Sequence, residues 1–164
     1  MQRLILSTLA LSLSYALQWY DEVLGIPIKT AQEFQQLASG EGATKFIMIE
    51  FYAKQCPYCE KFYPVWNRLV QYYTQAYGGQ MIFVKIDGDE NVLTSMRYGV
   101  KGYPGYVMVM PGTDGEGFAR WDSKHKDRLV MMQWIEEQVG DKLSIQRPDA
   151  PPPQGVSPAQ ETKK

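Results

Sequence analysis

The chain has 164 residues, 45% of them hydrophobic and 13% aromatic, enough to bury one sizeable core and short for two domains. Its 17 basic and 18 acidic side chains are spread along the sequence and nearly cancel, to a formal net charge of −1. No basic stripe is available to displace counterions, so nucleic acid is not an expected partner.

In chain order, residues 1–16 read MQRLILSTLALSLSYA: one arginine, an apolar stretch, then small residues where a signal peptidase cuts. The apolar run 4–17 falls short of the roughly 20 residues that cross a bilayer core as a helix. A cleaved secretory signal is expected, with a retained anchor or a mitochondrial presequence as alternatives. Arg3 is the only basic residue before Lys29, whereas transit peptides are Arg-rich.

Thr30 and Glu33 form a capping-box pattern that predicts a helix through about residue 38. KFIMIEFYA, residues 45–53, is strand-like, and Phe62, Trp66, Leu69 and Tyr73 then recur at helical spacing until Gly78 and Gly79. MIFVKID, residues 81–87, predicts a second strand, residues 90–98 a short helix, and YVMVM, residues 106–110, a third strand. Residues 117–122 can form an edge strand. Residues 127–139 predict a last amphipathic helix bearing Leu129, Met132, Ile135 and Val139. Such alternation implies strands buried on both faces, hence an α/β sandwich with a mixed sheet. Residues 145–164 are Pro-rich, with little apolar bulk to bury, and predict a solvated tail or an arm laid on a partner. No KDEL-type address ends the sequence.

The only two cysteines, Cys56 and Cys59, fall in the stretch EFYAKQCPYCEKFYPVW at a predicted strand-to-helix junction. A structural zinc site needs four ligands, and one Cys pair with the distant His125 falls short, so no metal is expected. Two buried, inert thiols are the plain alternative. Spacing favours a redox pair. A sulfur at a helix N-terminus meets unpaired N–H groups that stabilise the thiolate, and Cys59, one turn on, can close a ring with it. Pro57 suits the first helical turn, where no N–H is needed.

The motif Glu50-Phe51-Tyr52-Ala53, the Cys-x-x-Cys, Pro64, and Gly102-Tyr103-Pro104 before the third strand together resemble a thioredoxin domain over residues 23–140. The resemblance implies a thioredoxin-like three-layer sandwich with a mixed central sheet flanked by helices. Glu50 and Lys85 are similar to the buried acid and lysine of protein disulfide isomerase domains. CPYC, with Pro57 and Tyr58, resembles the glutaredoxin motif, but EFYA and the extra N-terminal helix favour the thioredoxin and isomerase branch.

What the resemblance implies for each residue is specific. Cys56 would attack and Cys59 would resolve the mixed disulfide. Glu50, on a strand buried on both faces, would have a raised pKa and act as base for Cys59, with Lys85 as its partner. Pro104 resembles the cis-proline opposite the disulfide, and Tyr103 before it would offer backbone groups to an extended peptide, flanked by Gln55, Pro57 and Tyr58. Two departures bear on redox strength: Gln55 stands where the family usually has Trp, and no His lies between the cysteines. The couple is therefore placed between about −230 and −180 mV. Candidates for a loop cation lie in Lys124-His125-Lys126-Asp127-Arg128, with His125 expected at the surface.

Two functions follow. One is a secretory-pathway dithiol–disulfide oxidoreductase acting on cysteine-containing client proteins, needing no cofactor beyond its own disulfide. The other is an accessory subunit of a membrane assembly, mitochondrial in one version, held through the leader and the Pro-rich tail. A glutathione-dependent glutaredoxin would need a tripeptide groove that the sequence does not trace.

Overall fold

The computed structural model describes residues 26–122 and 127–143. The expected leader, the Pro-rich tail and His125 with its neighbours 124 and 126 lie outside the described residues.

Strand β1 (Phe46–Tyr52) is buried at all seven positions, and the β-branched and aromatic side chains of FIMIEFY suit a strand covered on both faces. It pairs in parallel with β2 (Met81–Asp87) on one side and antiparallel with β3 (Gly105–Val109) on the other. β4 (Phe118–Arg120) adds antiparallel to β3, giving the order β2-β1-β3-β4. This is the expected mixed sheet, with the edge strand shorter than the 117–122 expected.

Helix α1 (Ala31–Ser39) starts with the capping box read from the sequence: Thr30 Oγ1 accepts from the Glu33 N–H, and the Thr30 N–H donates to the Glu33 carboxylate. Helix α2 (Pro57–Tyr77) runs 21 residues with Cys56 as N-cap, and continues past Pro64. Its buried stripe, Cys59, Phe62, Trp66, Leu69 and Tyr73, follows the i, i+3, i+4 rule. Helix α3 (Val92–Arg97) begins two residues later than expected, because the Asp87 carboxylate accepts from the N–H groups of Asp89 and Glu90 and turns that segment back on itself.

Helix α4 (Arg128–Val139) departs from its expected face. Its buried residues are Met131, Ile135 and Val139, while Leu129 is 66% exposed. The sequence RLVMMQWIEEQV is apolar on more than one side, so periodicity alone does not choose a face; packing on the sheet does.

Two cores sit on opposite faces of the sheet. One joins Phe46, Met48, Phe83, Tyr106 and Met108 to α2 and α4. The other joins Ile47, Ile49, Phe51, Val84, Ile86, Val107 and Val109 to Phe34, Leu37 and Ala38 of α1 and to Tyr98. The result is the expected three-layer sandwich.

Candidate functional site

At the C-terminal end of β1 the chain turns through Lys54 and Gln55 into α2. Gln55 is exposed and has φ +60°, in the left-handed region that favours glycine. Lys54 ties this turn to the end of β2, with its ammonium 3.7 Å from Asp87 Oδ2 and in contact with the Glu90 carboxylate. That contact with Glu90 and Asp87 raises the Lys54 pKa.

The turn delivers Cys56 to the start of α2. Cys56 and Cys59 are joined by a disulfide with their Cα atoms 5.2 Å apart. The Cys59 N–H donates to Cys56 Sγ at 3.2 Å, so the outer sulfur caps the helix. Cys56 is half-buried, Cys59 wholly buried, and Pro57 and Tyr58 between them are exposed. The outer sulfur is the accessible one.

Beneath α2 lies a row of polar groups in an otherwise apolar layer. Glu50, in the central strand, is in register with Lys85 on β2 and Tyr106 on β3. All three are essentially without solvent contact, at 0%, 1% and 0%. Lys85 Nζ lies 3.8 Å from Glu50 Oε2, and the Tyr106 hydroxyl donates to Glu50 Oε1 at 3.1 Å. Lys85 Nζ also sits over the Tyr52 ring at 4.6 Å and the Tyr63 ring at 5.6 Å. Burial disfavours the Glu50 carboxylate, whereas the ammonium and the phenol favour it.

The Tyr103–Pro104 bond is cis. Because Phe51 pairs with Gly105, Pro104 reaches the sheet level with the last residue of β1, at the edge from which Cys56 emerges. The Tyr103 ring lies on Gly88, just after β2, where a Cβ would come within 2.3 Å of Tyr103 Cε1. Tyr103 and Pro104 line a cleft of about 340 Å³ with Lys101, Arg120, Trp121 and Asp122. The two sulfurs, Gln55, Pro57 and Tyr58 are not part of its wall. The forked ion pair between Arg120 and Asp122 lowers the Asp122 pKa, chiefly through its hydrogen bonds.

Of the residues named by the sequence reading, Cys56 and Cys59 are joined at the start of α2, Glu50 and Lys85 pair on the sheet face under α2, and Tyr103–Pro104 reach the sheet at the end of β1 with Tyr103 packed against the core on the other face. Gln55, Pro57 and Tyr58 surround the disulfide from solvent. Tyr106 was missed; its signal was the one hydroxyl in the run YVMVM. Among the described residues no cluster of His, Cys, Asp and Glu could hold a metal, and no helix is long and apolar enough to cross a membrane.

A strand, a Cys-x-x-Cys at the following helix N-terminus, and a cis-proline opposite that junction are the features that decide the family, and the Thioredoxin family model matches residues 26–136. The chain belongs to the thioredoxin family. Its thioredoxin domain is of the protein disulfide isomerase-like kind. Human Protein disulfide-isomerase A4 is 32% identical over 100 residues, 61% of this chain and 15% of that protein. The chain thus matches only a small part of that relative's length. A mitochondrial thioredoxin domain-containing protein of Schizosaccharomyces pombe is 22% identical over 135 residues, 82% of this chain and 36% of that protein. The first thioredoxin domain of mouse Protein disulfide-isomerase A4 superposes with a TM-score of 0.54 at 19% identity, covering 87% of this chain and 95% of that domain, which bears on the fold alone.

Proposed function

We propose that this thioredoxin domain is a thiol–disulfide oxidoreductase acting on cysteines of client proteins in an oxidising compartment, the secretory pathway. The observation that carries the reading is the asymmetry of the pair: a half-buried Cys56 at the N-terminus of α2, and a wholly buried Cys59 on the helix stripe whose Phe62 and Trp66 pack on Tyr106, the neighbour of Glu50.

In the reducing direction, Cys56 as thiolate attacks one sulfur of a client disulfide, and the other client sulfur leaves as thiolate. The Cys59 thiol passes its proton to the Glu50 carboxylate. Its thiolate then attacks Cys56 Sγ, forming the Cys56–Cys59 bond and expelling the second client sulfur. The client gains two electrons and the domain loses two; run backwards, the same steps oxidise a dithiol. Tyr103 and the cleft beside Pro104 would hold the client as extended chain. The protein disulfide isomerases among the relatives support the secretory compartment.

A second reading is an accessory subunit of a mitochondrial membrane assembly; of this, the mitochondrial compartment alone has support, from the Schizosaccharomyces pombe relative. The two part on the reactivity of Cys56. Iodoacetamide labelling of the reduced protein against pH should modify Cys56 first, with a midpoint well below the roughly 8.5 of a free thiol. Equilibration with glutathione buffers should place the couple between about −230 and −180 mV. Preferential labelling of Cys59 would sink the enzyme assignment, and a pair that never oxidises would leave the subunit.

A further inference from the structure

We infer that Tyr106 is a positioning residue for the proton transfer between Cys59 and Glu50, its hydroxyl holding the buried carboxylate ionised and aimed at α2. The inference rests on the oxidoreductase reading above and adds to it a group that is not one of the cysteines, the acid or the lysine.

Three observations meet at this side chain. First, the Tyr106 hydroxyl donates to Glu50 Oε1 at 3.1 Å, and a hydrogen bond given to a carboxylate favours its charged form. The other oxygen, Oε2, faces Lys85 Nζ at 3.8 Å. The Lys85 approach is an ion pair longer than a hydrogen bond, so the directional contact to the carboxylate is the one from Tyr106, on the neighbouring strand opposite to that of Lys85. Second, the Tyr106 ring is the floor on which α2 rests: its centroid is 5.5 Å from that of Phe62 and 4.9 Å from that of Trp66. Cys59, Phe62 and Trp66 stand at i, i+3 and i+7, on one helix face, so the residue that grips Glu50 also sets the height of the Cys59 face above it. Third, Tyr106 is wholly buried, and so are its packing partners Phe62, Trp66 and Trp121. A buried hydroxyl is favourable only while it has a partner, and here that partner is the acid.

The charged and titratable groups around Glu50 are Lys85 and Tyr106 beside it, Tyr52 on its own strand, Asp87 with Lys54 at the end of β2, and Tyr63 and Cys59 from α2. Of these, Lys85 at 3.8 Å and Tyr106 at 3.1 Å approach its carboxylate directly, and they act in the same direction. A carboxyl held ionised is poised to accept the Cys59 proton.

The test is Tyr106→Phe, which keeps the ring and removes only the donor. Single-turnover kinetics would follow attack by Cys56 and resolution by Cys59 separately against pH, and carbon-13 glutamate NMR would follow the Glu50 carboxyl. Loss of one hydrogen bond to a charged acceptor should move the Glu50 titration, and the rising limb of the resolving step, up by about one pH unit, with about a tenfold slower resolution below it. Attack by Cys56 should be unchanged. 3-Fluorotyrosine placed at position 106, a stronger donor, should move both midpoints the other way, and serves if the phenylalanine variant folds poorly. Glu50→Gln is measured in parallel. If it removes the limb while Tyr106→Phe leaves both midpoints at the parent values, the positioning role is overturned and the proton relay stands. If Glu50→Gln leaves resolution untouched, relay and positioning fall together.

Discussion

The two faces of the central sheet are built from the same three strands and differ in what they carry. Toward α1 the sheet presents Ile47, Ile49, Phe51, Val84, Ile86, Val107 and Val109, without a polar atom. Toward α2 it presents Met48, Phe83 and Met108, but also Glu50, Lys85 and Tyr106 in one row. A strand places successive side chains on opposite faces, so a single sequence such as FIMIEFY can supply an inert face and a reactive one at once. The polar row lies only beneath the helix that carries the disulfide. The difference is that the buried charge of the sheet is confined to the face under α2, while the face toward α1 is held by apolar side chains alone.

That contrast can be broken most severely at Lys85. Replacing it by methionine strands the Glu50 carboxylate without its ammonium, and breaking a buried pair in this way costs about 3–5 kcal/mol, read as a drop in urea-unfolding free energy. The double variant Glu50→Leu with Lys85→Met should recover part of that stability, less the cost of taking the carboxylate from the Tyr106 hydroxyl, while losing rapid resolution, which separates what the pair does for folding from what it does for exchange.

A smaller effect is expected at the sheet edge. Gly88→Ala sets a Cβ where the Tyr103 ring now lies, 2.3 Å from Cε1. The ring must move, at a cost of about 1–3 kcal/mol, and exchange with a peptide disulfide should slow more than exchange with glutathione, whose shorter chain depends less on the cleft. On the inert face, Ile49→Val should cost about 1 kcal/mol by calorimetry and leave both steps of the exchange at parental rates.

The smallest expected effect is one of pH. The Glu33 carboxyl is held below its usual value by the Thr30 backbone and side-chain hydrogen bonds of the α1 capping box. A carboxyl depressed in the folded state adds stability above its unfolded pKa and gives it up as pH falls through the folded value. Glu33→Gln should therefore cost a little stability near neutrality and none once the pH is below the folded value, so that the acid side of the stability curve flattens. A loss of equal size at neutral and acid pH would mean the capping box contributes through shape rather than charge.

Much of this architecture could be read in the sequence because it rests on short-range rules. The capping box, the alternation of apolar runs with helical spacing, and the Cys-Pro-x-Cys at a helix start are all local, and each is found in the structure. What was not legible depends on register. Lys85 near the end of a strand could have faced solvent; only the alignment Glu50↔Lys85 puts it beside a buried acid. Tyr106 reads as one more strand aromatic until the antiparallel register with β1 sets it opposite Glu50. The face of α4 was likewise decided by packing, because Leu129 and Met131 are equally apolar and only one fits the sheet.

The division between a cohesive face and a reactive one is tested most directly by the two half-reactions of Glu50→Gln. With a fluorescent peptide disulfide in stopped flow, attack by Cys56 and resolution by Cys59 are timed in the same experiment. Removing a positioned base should slow resolution about a hundredfold and leave attack within about twofold of the parent. Equal slowing of the two steps, or no slowing of either, would show that Glu50 only supports the fold and would contradict a proton-transfer role for the polar row.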